Sequence, residues 1–267
     1  MKLTHLFATL TAATLALTAA ADLTPREWTI DGTKRNALLH IPATAKTNPA
    51  PLVFVWHGHG GNMRHSALAF PIHAKWPEAI VVHPQGLPTP SMLVDPQGKR
   101  SGWQQRKGEQ GDRDIKFFDA MLKSLKEDYK VDAQNIFSAG YSNGGMMTFL
   151  LWSVYPDTFR AFAPCACVAL PAVPLTVPKP ALFLMGETDE LVKPQWMRAT
   201  IARLKTLNKC EESGTSWATG TMLFPSPLNA PLAVLTHPGG HAIPPGGKTD
   251  ELVKFFKEQL KKQSKLD

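Results

Sequence analysis

The chain has 267 residues, of which 43% are hydrophobic and 19% are charged, and its formal net charge at pH 7 is +7. This composition excludes an intrinsically disordered chain and allows one large α/β domain with a buried core. The basic residues are scattered along the chain and form no arginine-rich stripe with aromatic residues. The charge pattern therefore argues against nucleic acid as a partner.

Residues 1–21 are typical of an export signal. Lys2 precedes an apolar run rich in alanine and threonine, and three small residues stand before Asp22. The run is too short and too rich in small residues for a membrane span. We therefore predict that the mature protein is a single domain of residues 22–267, with no membrane span, and that it is secreted or periplasmic.

The chain has an odd number of cysteines, which is unusual for an exported protein. Cys210 could pair with either Cys165 or Cys167. A bond between Cys165 and Cys167 themselves is sterically unfavourable within a strand. No histidine stands at zinc-ligand spacing beside these cysteines, so we predict no metal site.

Apolar strands and helices alternate along the chain, which predicts a mostly parallel central sheet with helices on both faces. Asp31-Gly32 marks a hairpin turn between the first two strands. Residues 87–114 are rich in proline, glycine and charge, and are predicted to form a long surface loop. Strands are predicted at residues 27–30, 37–41, 52–56, 79–83, 135–139, 162–168, 181–185 and 232–236, and helices at residues 112–129, 146–155, 196–207 and 251–260.

The sequence G-Y-S-N-G at residues 140–144 fits the pattern G-x-S-x-G, between a predicted strand and a predicted helix. A serine at such a turn has a strained backbone that presents its hydroxyl above the sheet, as in a nucleophile elbow. The start of the following helix favours negative charge nearby. These features predict that Ser142 is a catalytic nucleophile, although a glycine-rich turn can also serve packing alone.

Four glycine- and charge-rich segments each follow an apolar strand directly. In open parallel sheets, function gathers in the loops beyond the carboxyl ends of the strands. We therefore expect the four segments to meet at one edge of the sheet. They are HGHGG at residues 57–61, GYSNGG at residues 140–145, GETDE at residues 186–190 and PGGH at residues 238–241.

A serine nucleophile needs a base, and the base needs an acid that orients it, in the chain order serine, acid, histidine. Asp189 and Glu187 both follow a predicted strand, and Asp189 is preferred because it lies further into the loop. The base candidates are His241 and His237. His241 follows two glycines that free the backbone to bring its ring over the serine, whereas His237 is predicted to end the strand.

An oxyanion formed at the attacked carbonyl requires preorganised donors. One predicted donor is the backbone N–H of Asn143, the residue after the nucleophile. The other is the backbone N–H of His59, in the glycine-rich loop at residues 57–61. His57 and His59 also suggest metal ligands, but alternate residues of such a turn rarely converge and no third ligand is evident.

Together these blocks resemble a known family. HGHGGN, GYSNGGMM, GETDELV and GGHAIPPG are similar to motifs of exported esterases grouped with polyhydroxybutyrate depolymerases and with feruloyl or acetylxylan esterases. The resemblance covers nearly all of the mature chain and implies an α/β-hydrolase fold without a large lid domain and without a metal or cofactor. It also implies that Ser142 is the nucleophile, Asp189 the acid and His241 the base.

The resulting prediction is a secreted serine esterase that acts on polyesters or on feruloyl or acetyl esters of plant polysaccharide. Trp103 is predicted to offer a flat surface to the substrate. The alternatives are a peptidase or lactone hydrolase of the same fold, or a non-catalytic polymer-binding module. The sequence predicts neither the acyl group nor the alcohol, and it leaves the oligomeric state open.

Overall fold

The computed structural model describes residues 23–244 and 248–261, so the predicted export signal at residues 1–21 lies outside the described residues. The strands are β1 (Thr24–Ile30), β2 (Thr33–His40), β3 (Ala50–Trp56), β4 (Ile80–Pro84), β5 (Leu87–Pro88), β6 (Ser101–Gly102), β7 (Val131–Tyr141), β8 (Ala161–Cys165), β9 (Ala181–Gly186), β10 (Thr215–Ala218), β11 (Thr221–Phe224) and β12 (Leu232–His237). The helices are α1 (Met63–Ala69), α2 (Ile72–Lys75), α3 (Arg113–Asp128), α4 (Asn143–Val154), α5 (Pro194–Asn208) and α6 (Thr249–Glu258), with short 3-10 helices at Ala43–Lys46 and Glu109–Asp112.

Ten of these strands form one sheet in the order β1-β2-β4-β3-β7-β8-β9-β12-β11-β10. Its central strands, from β4 to β12 in that order, pair in parallel. At both edges the pairing is antiparallel. Most connections between parallel strands pass through helices, as is usual for a parallel sheet, whereas β8 is joined to β9 by residues 166–180 without a helix. The predicted mostly parallel sheet is therefore confirmed, with antiparallel additions at its two edges.

Strand β3 shows how the sheet buries both of its faces. Leu52, Phe54 and Trp56 enter one hydrophobic core, and Val53 and Val55 enter the other. This division follows from the two-residue period of a strand. We call these sides of the sheet the Trp56 face and the Val55 face. A strand buried on both faces reads as a continuous apolar run, as LVFVW does.

Helices cover each face of the sheet. Phe118 of α3, Leu150 of α4 and Leu204 of α5 belong to the core of the Trp56 face. Ile72 of α2 and Phe256 of α6 belong to the core of the Val55 face. Helix α4 is apolar around nearly its whole circumference, because it is buried along most of its length. Within the described residues, no helix is long and apolar enough to cross a membrane.

The prediction missed the edge hairpin formed by β10 and β11. These strands are short and largely exposed or half-buried, so their sequence lacks a clear apolar alternation. Helices α1 and α2 were also missed, because seven and four residues are too short for a helical period to be recognised.

The predicted long surface loop at residues 87–114 is wrong at residues 102–104, which are buried, whereas residues 105–113 are exposed or half-buried. The two-residue strands β5 and β6 pair within it, and both Trp103 and Gln104 are fully buried. The buried carboxylate of Asp114 explains this course of the chain, because one of its oxygens accepts the backbone N–H of Gln104 at 2.8 Å. The segment therefore returns into the protein before α3 begins.

A buried ion pair fixes β2 to the start of α3. Arg35 Nη2 lies 2.7 Å from Asp114 Oδ1, and neither side chain is more than 1% exposed. The guanidinium also stacks over the Phe117 ring, 4.2 Å from its centroid, and donates to the backbone carbonyl of Gln85. Burial lowers the pKa of Arg35, while the Asp114 carboxylate opposes that change.

We expect Asp114→Ala to lower the free energy of unfolding by about 3–5 kcal/mol, because it leaves the Arg35 charge buried without a partner. A matched control on the same helix is Lys116→Ala, which removes an exposed pair with Asp31 whose side chains are 48% and 69% exposed. That change should cost less than about 1 kcal/mol. Urea unfolding of both variants measures the difference, and equal losses would contradict the role given to the buried pair.

Candidate active site

Ser142 lies at the turn between β7 and α4. Its backbone has φ 55° and ψ −118°, a combination that residues with a side chain rarely adopt. The Ser142 N–H donates to the carbonyl of Cys165 at 2.8 Å, at the end of the neighbouring strand β8. A strained serine between a buried strand and a helix is the geometry of a nucleophile elbow.

The two flanking glycines are required by close backbone contacts. A Cβ atom on Gly140 would overlap the carbonyl of Gly144. A Cβ atom on Gly144 would overlap the carbonyls of Trp56 and His57. The G-x-S-x-G pattern therefore records how tightly α4 approaches the ends of β3 and β7.

His241 connects Ser142 to Asp189. Its Nε2 lies 3.0 Å from Ser142 Oγ, and its Nδ1 lies 2.7 Å from Asp189 Oδ2. A carboxylate only accepts hydrogen bonds, so Nδ1 carries the proton and Nε2 has a lone pair directed at the serine hydroxyl. This tautomer is the one that a general base for Ser142 requires.

The loop after β9 brings Asp189, and not Glu187, to the histidine. Asp189 is 2% exposed, and its Oδ1 accepts the backbone N–H groups of Leu191 at 2.9 Å and Val192 at 2.8 Å. Glu187 is exposed. Two backbone hydrogen bonds thus hold Asp189 Oδ1, and Oδ2 is left for His241.

His237 ends strand β12, as predicted. Its Nδ1 accepts the backbone N–H of Gly239 at 3.1 Å, which tightens the turn before His241. Burial lowers the pKa of His237, so its ring is neutral at pH 7. His237 therefore supports the turn, while the ring of His241 reaches the serine.

Tyr141, the residue before the serine, supports the loop that carries His241. Its hydroxyl donates to the backbone carbonyl of His241 at 2.8 Å, and the two ring centroids are 5.1 Å apart. Burial, followed by the Asp189 carboxylate, raises the pKa of Tyr141, so the phenol keeps the proton that it donates. Sequence patterns did not indicate this residue, because it occupies a variable position of G-x-S-x-G.

Asn143 and His59 flank Ser142 along the cleft. Asn143 is the first residue of α4, where a backbone N–H has no acceptor within the helix. The Asn143 side chain is bound to the Trp103 backbone, accepting its N–H at 2.7 Å and donating to its carbonyl at 3.1 Å. His59 Nε2 lies 3.1 Å from Asp95 Oδ2, which holds the loop at residues 57–61 against the segment after β4.

The role predicted for Trp103 needs correction. Its side chain is fully buried, packs edge-to-face on Trp56 at 5.0 Å between ring centroids, and donates from Nε1 to the His57 carbonyl at 2.8 Å. Trp103 borders the cleft but offers no exposed flat surface. Its indole N–H instead binds the loop that begins at His57, and its backbone binds Asn143 at the start of α4.

The rings of His57 and His59 have different partners. His57 Nδ1 donates to the Gly58 carbonyl at 2.7 Å, and Nε2 accepts the N–H of Gly86 at 2.9 Å. Both ring nitrogens are thus engaged by the backbone, in a neutral tautomer. Burial lowers the pKa of His57 to about 4. Within residues 23–244 and 248–261, no group of three or more histidine, cysteine or acidic side chains is arranged to hold a metal ion.

We expect the buried, neutral His57 to make folding stability depend on pH between about 6.5 and 4. In this interval His57 is protonated in the unfolded chain, where its pKa is about 6.5, and stays neutral in the folded protein. Because the unfolded state binds the additional proton, the free energy of unfolding falls as pH falls. A difference in pKa of that size corresponds to about 3 kcal/mol of folding stability. Urea unfolding at several pH values should show a flatter pH dependence for His57→Gln than for the wild type, and parallel curves would contradict this origin.

A cleft of about 610 Å³ opens beside Ser142 on the Trp56 face of the sheet. Its walls are mainly apolar and include Met146, Cys167 and Val192, together with the exposed side chains of Met92 and Trp196. Such a cleft suits an apolar group bound next to the nucleophile.

All three cysteines are free, so neither of the pairings considered for Cys210 is present. Cys165 and Cys167 are fully buried, and burial raises the pKa of Cys165 to about 12. Both buried thiols are therefore protonated at neutral pH and serve as small apolar side chains.

The fold and the arrangement of Ser142, Asp189 and His241 together identify the fold class of the protein. A strained serine after a central parallel strand, followed in the chain by an aspartate and a histidine, is the arrangement of the α/β-hydrolase fold. The acetyl xylan esterase from Aspergillus awamori aligns with a TM-score of 0.60 over 87% of this chain and 99% of that chain, at 17% sequence identity. That identity shows the fold alone. The predicted α/β-hydrolase fold is confirmed.

Sequence comparison adds a similarity to esterases. Feruloyl esterase D of Neurospora crassa is 31% identical over 141 residues, which cover 50% of this chain and 46% of that relative. Feruloyl esterase C of Emericella nidulans is 30% identical over 128 residues, which cover 48% and 44%. The chain thus spans about half the length of the curated relatives that it matches. The profile of Peptidase_S9, the prolyl oligopeptidase family, matches residues 93–173.

These similarities confirm the resemblance to feruloyl esterases that the sequence motifs indicated. The matched residues 93–173 of the prolyl oligopeptidase profile include the G-x-S-x-G turn.

Proposed function

We propose that the protein is a serine esterase that hydrolyses carboxylic esters through an acyl-enzyme on Ser142. One observation carries this proposal: His241 lies within hydrogen-bond distance of Ser142 Oγ on one side and of the buried Asp189 carboxylate on the other. The similarity to feruloyl esterases supports ester hydrolysis in particular.

The reaction follows from the positions of these groups. Ser142 Oγ attacks the ester carbonyl while His241 Nε2 takes the hydroxyl proton. The tetrahedral intermediate then loses the alcohol, which receives that proton from His241. Water attacks the acyl-enzyme by the same route in reverse, releasing the acid and restoring the serine. Throughout, Asp189 holds the tautomer of His241 and stabilises the imidazolium.

In this mechanism the backbone N–H groups of Asn143 and His59 stabilise the oxyanion. Helix α4 begins at Asn143, so its partial positive end lies beside the developing negative charge. Asp95 holds the loop at residues 57–61 in place, because it contacts the His59 ring and also accepts the N–H of Arg100 at 2.8 Å. A donor on a fixed loop needs little reorganisation during the reaction.

The acyl group occupies the cleft on the Trp56 face in this proposal. The cleft volume of about 610 Å³ is large enough for an aromatic acid such as a feruloyl group or for a segment of an aliphatic polyester. Residues 22–267 form one catalytic domain that follows an export signal at residues 1–21, and the enzyme acts after export.

A peptidase is the second candidate, and the match to the prolyl oligopeptidase family over residues 93–173 favours it. A serine, histidine and aspartate of this geometry can cleave either an ester bond or an amide bond. Amides are less reactive and need a protonated leaving amine. Rates on an ester and an amide with the same acyl group therefore distinguish the two functions.

The test is a substrate panel assayed with wild type and Ser142→Ala: p-nitrophenyl acetate and butyrate, p-nitroacetanilide, methyl ferulate, acetylated xylan and amorphous polyhydroxybutyrate. Serine-dependent hydrolysis of the esters supports the proposal, and the preferred member identifies the acyl group. Amide hydrolysis at a rate close to that of p-nitrophenyl acetate favours the peptidase. Folded protein that is inactive on every member but binds a polymer favours a non-catalytic binding module.

A further inference from the structure

A second depression lies on the other side of the loop at residues 57–61. Its volume is about 340 Å³, and it lies between helix α1 and the end of β7. We call it the α1 groove. Its walls include Ala69 and Phe70 at the end of α1, the ring of Tyr141 and the side chain of Ile243.

The cleft and the α1 groove lie on opposite faces of the sheet. Phe70, Tyr141 and Ile243 pack with the core of the Val55 face, whereas Trp103 and Met146 of the cleft pack with the core of the Trp56 face. The two depressions adjoin at the loop at residues 57–61, because His59 lines both of them. Ser142 lines the cleft, and Tyr141, the residue before it, lines the α1 groove.

The catalytic base stands on the side of the α1 groove. The Tyr141 hydroxyl holds the backbone of His241, with the two rings 5.1 Å apart, and Ile243 follows His241 by two residues. His241 must return its proton to the oxygen of the leaving alcohol. The alcohol consequently leaves on the side of His241, next to Tyr141 and Ile243.

We propose that the α1 groove is the subsite for the alcohol of the ester and that it selects an alkyl or aryl alcohol over a carbohydrate. This inference rests on the proposed serine esterase function. When Ser142 Oγ bonds to the carbonyl carbon, its proton goes to His241 Nε2. The bond from that carbon to the alcohol oxygen then breaks, and the proton passes to this oxygen, releasing a neutral alcohol into the groove.

The preference for an apolar alcohol follows from the polar groups of the walls. Both ring nitrogens of His57 are occupied by Gly58 and Gly86. The Ser66 hydroxyl donates to the Met63 carbonyl and contacts His83 Nδ1 at 3.0 Å. The exposed ring of His65 lies at the rim. A sugar in the groove would lose water from several hydroxyls and regain few hydrogen bonds, whereas Phe70, Tyr141 and Ile243 suit an apolar ring.

Acetate esters of different alcohols test the subsite, because all of them form the same acetyl-enzyme. The groove then affects kcat/KM, which includes acylation, and leaves hydrolysis of the acetyl-enzyme unchanged. We expect kcat/KM for benzyl acetate to exceed that for methyl acetate and for an acetylated methyl xyloside by about tenfold or more. A preference for the xyloside would overturn the proposal.

Variants locate the selectivity. Ile243→Trp should fill the groove and lower the ratio of kcat/KM for benzyl acetate to kcat/KM for methyl acetate about tenfold. If this variant folds poorly, Ala69→Phe, which narrows the same groove from helix α1, should lower the same ratio. The control is Leu68→Phe, at a neighbouring position that is 75% exposed and outside the groove walls; its ratio should equal that of the wild type.

A variant in the cleft, which holds the acyl group in this proposal, provides the comparison with the variants in the α1 groove. Val192→Trp, in the wall of the cleft, should change the preference among methyl acetate, butyrate and ferulate and leave the benzyl to methyl ratio unchanged. If Ile243→Trp alters acyl preference instead, the assignment of the two cavities is wrong. Absence of any Ser142-dependent ester hydrolysis would reject the serine esterase itself, which is a different outcome.

Discussion

Ser142→Ala is expected to lower kcat for ester hydrolysis by at least about 10⁴-fold. Without Oγ there is no atom to form the acyl-enzyme, and His241 has no proton to take. Binding in the cleft and the oxyanion donors remain, so residual turnover by direct attack of water is expected above the uncatalysed rate. Initial rates on p-nitrophenyl butyrate, measured over a wide range of enzyme concentration, provide the comparison.

The same variant should fold normally. The Ser142 hydroxyl contacts the His241 ring, and the strained backbone at φ 55° is set by the surrounding glycines and strands. Circular dichroism and thermal unfolding should therefore match those of the wild type within a few degrees. A folded Ser142→Ala protein with full activity would contradict the proposed nucleophile.

Asp189→Asn is expected to lower kcat/KM by about 10³- to 10⁴-fold through the wrong tautomer of His241. The backbone N–H groups of Leu191 and Val192 both donate to Asp189 Oδ1. In the variant these donors keep the amide oxygen on their side, so the amide N–H₂ faces His241 Nδ1. Nδ1 must then accept, and the proton moves to Nε2, where it blocks the removal of the Ser142 proton.

Glu187→Gln is the matched control for this change. Glu187 stands in the same loop, two residues before Asp189, and is exposed. Its substitution also removes one negative charge at constant size, and we expect less than about a threefold effect on kcat/KM, because an exposed charge is screened by solvent. Loss of activity in Glu187→Gln together with retained activity in Asp189→Asn would show that Glu187, and not Asp189, is the acid that orients His241.

The sequence was most informative where the physics is local or periodic. LVFVW predicted a strand buried on both faces, and β3 is such a strand. The Asp31-Gly32 signal predicted the hairpin of β1 and β2, and the structure has it with Asp31 and Gly32 at positive φ. The predicted meeting of the four glycine-rich segments follows from parallel strand order, and it brings Ser142, Asp189 and His241 within hydrogen-bond distance.

Contacts between residues distant in the chain were not predictable in this way. The burial of Trp103 depends on partners in two distant segments, the loop at His57 and the start of α4 at Asn143, and composition alone suggested a surface loop there. The contact of His59 with Asp95 joins residues 36 positions apart. The partner of each group is fixed by the course of the loops, and no periodic pattern encodes that course.

Tyr141 illustrates a residue whose role is set by the fold alone. Its position in G-x-S-x-G accepts many side chains, yet its hydroxyl reaches the His241 carbonyl, 100 positions along the chain. Its role is recognised from the distance between its hydroxyl and the His241 carbonyl, and the sequence does not contain that distance. The α1 groove was missed for the same reason, because Phe70, Tyr141 and Ile243 come from three separate segments.

The most direct test of the account is covalent labelling of the nucleophile by a fluorophosphonate, with peptide mass spectrometry to locate the label. Ser142 Oγ displaces fluoride only when a base removes its proton, so labelling measures nucleophile and base together. The account predicts a single label on the peptide that contains Ser142 in the wild type, and labelling slower by about 10³-fold or more in His241→Ala. A label on another residue, or labelling of Ser142 that is unaffected by His241→Ala, would contradict it.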